Sequence, residues 1–118
     1  MKGMIKIINL WLDDLRPAPD GFIWVETVSQ LIYKLDELKE LDQEINIMSL
    51  DHDLGENEPT GYDFVKYLVE VGNYEPSYYP RQIYLHTANP VGRENMYQLL
   101  MRYKPDNVKV YKSSIPQE

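Results

Sequence analysis

Residues 45–53, INIMSLDHD, carry the decision about the fold. A largely apolar, β-branched run stops at Asp51-His52-Asp53. A continuous run, without strict polar alternation, reads as a strand buried on both faces, as in a parallel sheet. Titratable residues directly behind such a strand are what an open parallel sheet offers to a ligand at its carboxyl edge. The pattern recurs on either side. Residues 4–12 (MIKIINLWL) run into Asp13-Asp14, residues 81–86 (RQIYLH) into His86-Thr87, and residues 108–111 (VKVY) into Lys112; residues 22–26 (FIWVE) read as a further strand.

Helical spacing fills the intervals. Val28, Leu31, Ile32, Leu35, Leu38 and Leu41 make one stripe over 28–41, opened by the capping-box pattern Thr27-x-x-Gln30. Phe64, Val65, Leu68 and Val69 make a second over 61–71, after Thr60-x-x-Asp63 and before Gly72. Met96, Leu99, Leu100 and Tyr103 make a third over 91–103, started by Asn89-Pro90 and stopped by Pro105. Asp13–Gly21 (DDLRPAPDG), with two prolines, is a loop where a helix would complete the alternation. The order predicts an α/β fold: a five-stranded parallel sheet in three layers, with right-handed crossovers.

Composition narrows the function. The 118 residues predict one domain, 1–118, and the absence of cysteine excludes disulfides, thiol nucleophiles and thiolate metal sites. No stretch approaches the roughly 20 apolar residues of a membrane span, and MKGMIK lacks signal-peptide character. A cytoplasmic protein without a membrane partner is the expectation. The net charge of −7 argues against duplex DNA as partner. Residues 1–60 carry 13 acids against 5 bases and residues 61–118 carry 6 against 7, which suits a metal ion or a small phosphate.

The chemistry gathers behind the strands. Asp13-Asp14 alone is compatible with a turn, but with Asp51 and Asp53 it makes a hard-cation site suited to Mg²⁺ or Mn²⁺. The chain has two histidines, His52 and His86, both at this edge. In an acidic pocket their pKa values are expected to rise, which suits acid–base catalysis, although either could simply satisfy hydrogen bonds at a strand end. Thr87, Asn89 and Arg93 lead into the third helix, whose N-terminus can hold a phosphate; Arg16 and Lys112 are further candidate phosphate contacts, or solvated bases. Tyr74, Tyr78 and Tyr79 could stack on a base or pack a loop. No glycine-rich phosphate loop, serine-nucleophile motif or HExxH occurs.

Asp13-Asp14, Asp51, Thr87 and Lys112 resemble the response-regulator receiver domain. That likeness implies a receiver-like (flavodoxin-like) sandwich, with Asp51 as the phosphoacceptor position and Thr87 and Lys112 contacting the phosphoryl group. The missing helix after strand 1, Ser113 after Lys112, and the two histidines depart from it. With residues 11–19 (WLDDLRPAP), 49–55 (SLDHDLG), 60–63 (TGYD) and 86–96 (HTANPVGRENM), they resemble a divergent branch, the cyclic-phosphate processing receiver domain family. The resemblance implies a metal-assisted phosphoesterase acting on a cyclic-phosphate nucleotide or RNA end. Asp13, Asp14, Asp51 and Asp53 would hold the metal, and His52 and His86 would act as base and acid, with Asp51 as nucleophile in a covalent variant. Arg16, Thr87, Asn89, Arg93 and Lys112 would hold the phosphate. The alternatives are a phosphoacceptor signalling module and an inactive domain that binds a nucleotide or a protein partner.

Overall fold

The computed structural model describes residues 6–116. Its elements are β1 (Ile8–Leu12), β2 (Ile23–Val25), α1 (Val28–Glu40), β3 (Ile45–Leu50), α2 (Gly61–Tyr74), a 3-10 turn (Pro76–Tyr78), β4 (Gln82–Leu85), α3 (Pro90–Tyr103) and β5 (Lys109–Tyr111). All strand pairs are parallel, in the order β2-β1-β3-β4-β5. This is the receiver-like (flavodoxin-like) order, whose direction reverses between β1 and β3 and opens a crevice at their carboxyl ends. The first strand begins at Ile8 rather than residue 4; residues 4–5 of the expected run, like the opening MKGMI, lie outside the described residues.

Register builds the core. Leu10, Met48 and Ile83 form one cross-strand row, and Leu12, Leu50 and Leu85 another. Both rows join Leu31, Leu35, Phe64, Leu68, Met96 and Leu100 of the helices in a single buried cluster. Each such side chain contributes about 1.5–3 kcal/mol.

The alternate row, Trp24–Trp11–Ser49–Tyr84–Tyr111, faces the other side of the sheet. There the loop after β1 stands in place of a helix, and Phe22 meets Trp11 edge-on at 6.2 Å. The loop closes on a turn in which Phe22 N–H donates to Pro19 O, with Gly21 at φ +86°. Burial of this face is partial: Trp11, Ser49 and Tyr84 are buried, while Trp24 and Tyr111 are exposed.

The helix starts follow their caps. Thr60 and Asp63 form a reciprocal capping box on α2, and Asn89 caps α3 ahead of Pro90. On α1 the Thr27 hydroxyl accepts from Gln30 N–H, but the Gln30 amide takes the N–H of Glu26 rather than that of Thr27. Helix α2 does not stop before Gly72. That glycine is buried inside the helix because the Tyr79 ring packs on it, and a Cβ there would lie 2.3 Å from the ring. Tyr79 is thus a core residue and Tyr78 hydrogen-bonds Asp36, both at the amino-terminal end of the sheet, away from the crevice.

Candidate functional site

Three residues extend the sheet ladder one position past the strands. Asp13 N–H donates to Val25 O, Asp51 N–H to Leu12 O and His86 N–H to Leu50 O. These side chains therefore stand on rigid backbone. Asp13, Asp14, Leu15, Arg16, Asp51, Asp53, Gly55, Thr87, Ala88 and Asn89 line a cleft of about 360 Å³ at this edge. A larger concavity of about 570 Å³, around Pro76, Tyr79, Pro80 and Pro105, sits at the opposite end of the strands. It collects no cluster of acids, so the smaller cleft is the candidate site.

Asp13 anchors the site and is 1% exposed. Its Oδ1 accepts N–H bonds from Leu15 and Arg16, both at 2.8 Å. Its Oδ2 accepts from His86 Nε2 and Arg16 Nε, both at 3.0 Å. Burial alone would raise this carboxyl, but the hydrogen bonds and the guanidinium outweigh it and hold Asp13 below the usual carboxylate range. Two indoles fix the same loop: Trp11 Nε1 donates to Arg16 O at 2.8 Å and Trp24 Nε1 to Asp13 O at 2.7 Å. The sequence reading missed this role for the chain's two tryptophans.

His86 does not face the cleft. Its ring stacks on Trp11 with centroids 3.9 Å apart, Nδ1 bonds the Ser49 hydroxyl at 2.7 Å, and Nε2 bonds Asp13. Burial lowers its pKa despite the pull of Asp13 and Asp51, which reverses the expected rise. A neutral ring with Nε2–H toward Asp13 and Nδ1 accepting from Ser49 satisfies every partner. The Ser49–His86–Asp13 chain imitates a nucleophile triad, yet Ser49 is fully buried, beyond reach of any substrate.

His52 lies behind the cleft wall. Its Nδ1 is 3.0 Å from Asp53 Oδ1 and 3.5 Å from Asn89 Nδ2, and its ring packs on Gly92 at the start of α3. A Cβ at position 92 would come within 2.5 Å of that ring, so glycine is what lets α3 approach. Hydrogen bonds from His52 and Asn89 hold Asp53 below the usual carboxylate range. Nε2 of His52 has no protein partner among the described residues.

The phosphate candidates divide. Thr87, Asn89 and Arg16 line the cleft. Arg93 instead donates to the Thr87 carbonyl, supporting the segment from outside. Lys112 is not brought to the cleft: it pairs with Glu94 at 3.2 Å and lies over the Tyr97 ring. The short β5 ends at Tyr111, which turns Lys112 toward α3.

Ligand atoms of Asp13, Asp51 and His86 lie within 4.8 Å of one another, a buried group that could hold a metal ion. Two of the three already bond each other. Readier donors are Asp14, which accepts no hydrogen bond among the described residues, and Asp51, whose Oδ1 takes only the His52 N–H and the distant guanidinium. Carboxylate oxygens of this kind fit a hard divalent cation. Gly55, beside Asp14, stands at φ +114°, a backbone conformation that favours glycine.

No curated protein and no solved structure matches the chain. A family model described as "Cyclic-phosphate processing Receiver domain" matches residues 8–102. That span runs from β1 almost to the end of α3 and includes every residue lining the cleft, while Lys112 falls outside it. The chain belongs to the cyclic-phosphate processing receiver domain family.

Proposed function

We propose that the cleft opens a cyclic phosphate, such as a 2′,3′-cyclic nucleotide or RNA end, by metal-assisted hydrolysis. The observation that carries this reading is the meeting of Asp14 and Asp51, both with oxygens to spare, and Arg16, Thr87 and Asn89 in one cleft of a chain of the cyclic-phosphate processing receiver domain family. Asp14 and Asp51 would hold Mg²⁺ or Mn²⁺, which supplies positive charge against a phosphoryl oxygen. Arg16 and the amino-terminal end of α3 face the remaining phosphate charge. His52, behind the cleft wall, would be the acid–base group only through a bridging water: Asp53 fixes Nδ1 and leaves Nε2 without a protein partner among the described residues. Water adds to phosphorus, one ribose P–O bond breaks, and the departing oxygen takes a proton. His86 orients Asp13 and does not touch the ligand.

Phosphoryl acceptance on Asp51 is the second reading, favoured by its place on the cleft beside Thr87. It lacks the lysine contact, since Lys112 is engaged by Glu94. Phosphorus NMR with a 2′,3′-cyclic nucleotide separates the two. Metal-dependent conversion to a monoester, abolished by chelator, supports hydrolysis. An unchanged cyclic signal for nucleotide and oligonucleotide ends alike, together with a phosphate adduct from acetyl phosphate that Asp51→Asn abolishes, moves the assignment to phosphoacceptance.

A further inference from the structure

We infer that Arg16, anchored on Asp13, is a built-in counter-ion that competes with the divalent metal for Asp51 and is released toward the anionic ligand when the metal binds. The inference rests on the metal reading of the cleft given above. Its basis is the bonding around Asp13. All four hydrogen bonds to that carboxylate are made, two by backbone N–H groups, one by the buried His86 ring and one by Arg16 Nε. Only the last comes from a half-exposed side chain. The other end of the guanidinium reaches toward β3, with Nη2 3.8 Å from Asp51 Oδ1 and 3.3 Å from the His86 carbonyl. Arg16 thus spans the acids at the ends of the two central strands, where a cation is called for.

A divalent ion approaching Asp51 meets this fixed positive charge at a few ångströms. The two cations repel, and Asp51 cannot serve both equally. Of the groups around Asp13, the guanidinium is the one free to leave, because the others are main chain or buried. Once Asp51 is taken by the metal, the cationic side chain favours whatever anion enters the cleft. Linkage then requires the reverse effect: an anion that draws Arg16 away raises metal affinity. Arg16 would make the cleft an ordered site, tight for metal plus anion and weak for metal alone.

Calorimetric titration with Mg²⁺ tests this, with and without inorganic phosphate, on the intact chain and on Arg16→Met, which keeps length and removes charge. Tryptophan fluorescence gives a second readout, since Trp11 bonds the Arg16 carbonyl. Without phosphate, Arg16→Met is expected to bind Mg²⁺ about tenfold tighter than the parent, from loss of a nearby like charge. Phosphate should tighten Mg²⁺ binding several-fold in the parent and far less in Arg16→Met. Arg16→Lys, which keeps the charge but cannot span both acids, should fall between, and serves if the methionine variant does not fold. Equal or weaker Mg²⁺ binding by the variants overturns the counter-ion role while leaving the metal site standing. Absence of Mg²⁺ binding in parent and variants alike overturns both.

Discussion

Replacing His86 by alanine removes the group that ties β1, β3 and β4 together behind the cleft. The Ser49 hydroxyl, fully buried, loses its acceptor. Asp13 Oδ2 loses its buried donor. A ring-sized void opens against Trp11. At about 1–3 kcal/mol for each unsatisfied group, plus a share for the cavity, the loss comes to about 3–5 kcal/mol. For a chain of this length that lowers Tm by about 12–20 °C. The assay is thermal unfolding followed by circular dichroism in EDTA, at several pH values. The sign of the pH effect follows from the folded His86 pKa lying below its ordinary 6.5. The unfolded chain takes up the proton first, so the His86 contribution is complete above about pH 6.5 and is lost as pH falls toward the folded value. Asp13, held low, behaves as a depressed carboxylate: its contribution persists until pH falls below the ordinary 3.8. Between pH 7 and 5 the parent should therefore lose stability that His86→Ala does not lose. A loss under about 1 kcal/mol, or a parent that gains His86-dependent stability on acidification, would refute the reasoning; the latter would mean a charged ring paired with Asp13.

Three further outcomes are expected. Gly61→Ala places a Cβ 2.0 Å from the Asp51 carbonyl oxygen, so it should displace Asp51, destabilise by about 2 kcal/mol or more and abolish divalent-ion binding, read by thermal unfolding and calorimetry. Tyr79→Phe removes the one buried side-chain polar atom without a partner among the described residues and should leave stability unchanged or raise it by up to about 1 kcal/mol in denaturant unfolding. Lys112→Ala should leave cyclic-phosphate turnover within about twofold of the parent, because its partner is an exposed Glu94; a loss of orders of magnitude would put Lys112 in the cleft during turnover.

Much of the fold was written in local patterns. The apolar runs ending in Asp13, Asp51 and His86 gave the strands, and the stripes through Leu31, Phe64 and Leu100 gave the helices, because period and caps are short-range signals. Gly72 misled because glycine near a helix end usually marks a stop, whereas here it admits the ring of Tyr79. The convergence of acids on one edge was legible from topology. The role of the histidines was not, since it depends on the long-range contacts each ring makes. Spacing held no such signal: His86 lies two positions beyond Tyr84 just as Asp13 lies two beyond Trp11 and Asp51 two beyond Ser49, so period two puts all three on one face, and only the stacking on Trp11 and the bonds to Ser49 and Asp13 take the ring out of the cleft. The same count turns Lys112 away from the face of Tyr111. The indole bonds to Arg16 and Asp13 span 5 and 11 residues and leave no pattern that spacing could reveal.

The central claim is that Asp14 and Asp51 hold a divalent cation in the cleft. The most direct measurement is the electron paramagnetic resonance signal of free Mn²⁺ during titration with the protein. The expected result is uptake of one ion per chain, displaced by Mg²⁺ and lost in Asp14→Asn and in Asp51→Asn while both variants stay folded. Uptake that survives both substitutions, or no uptake by the parent with a cyclic nucleotide present, would contradict it.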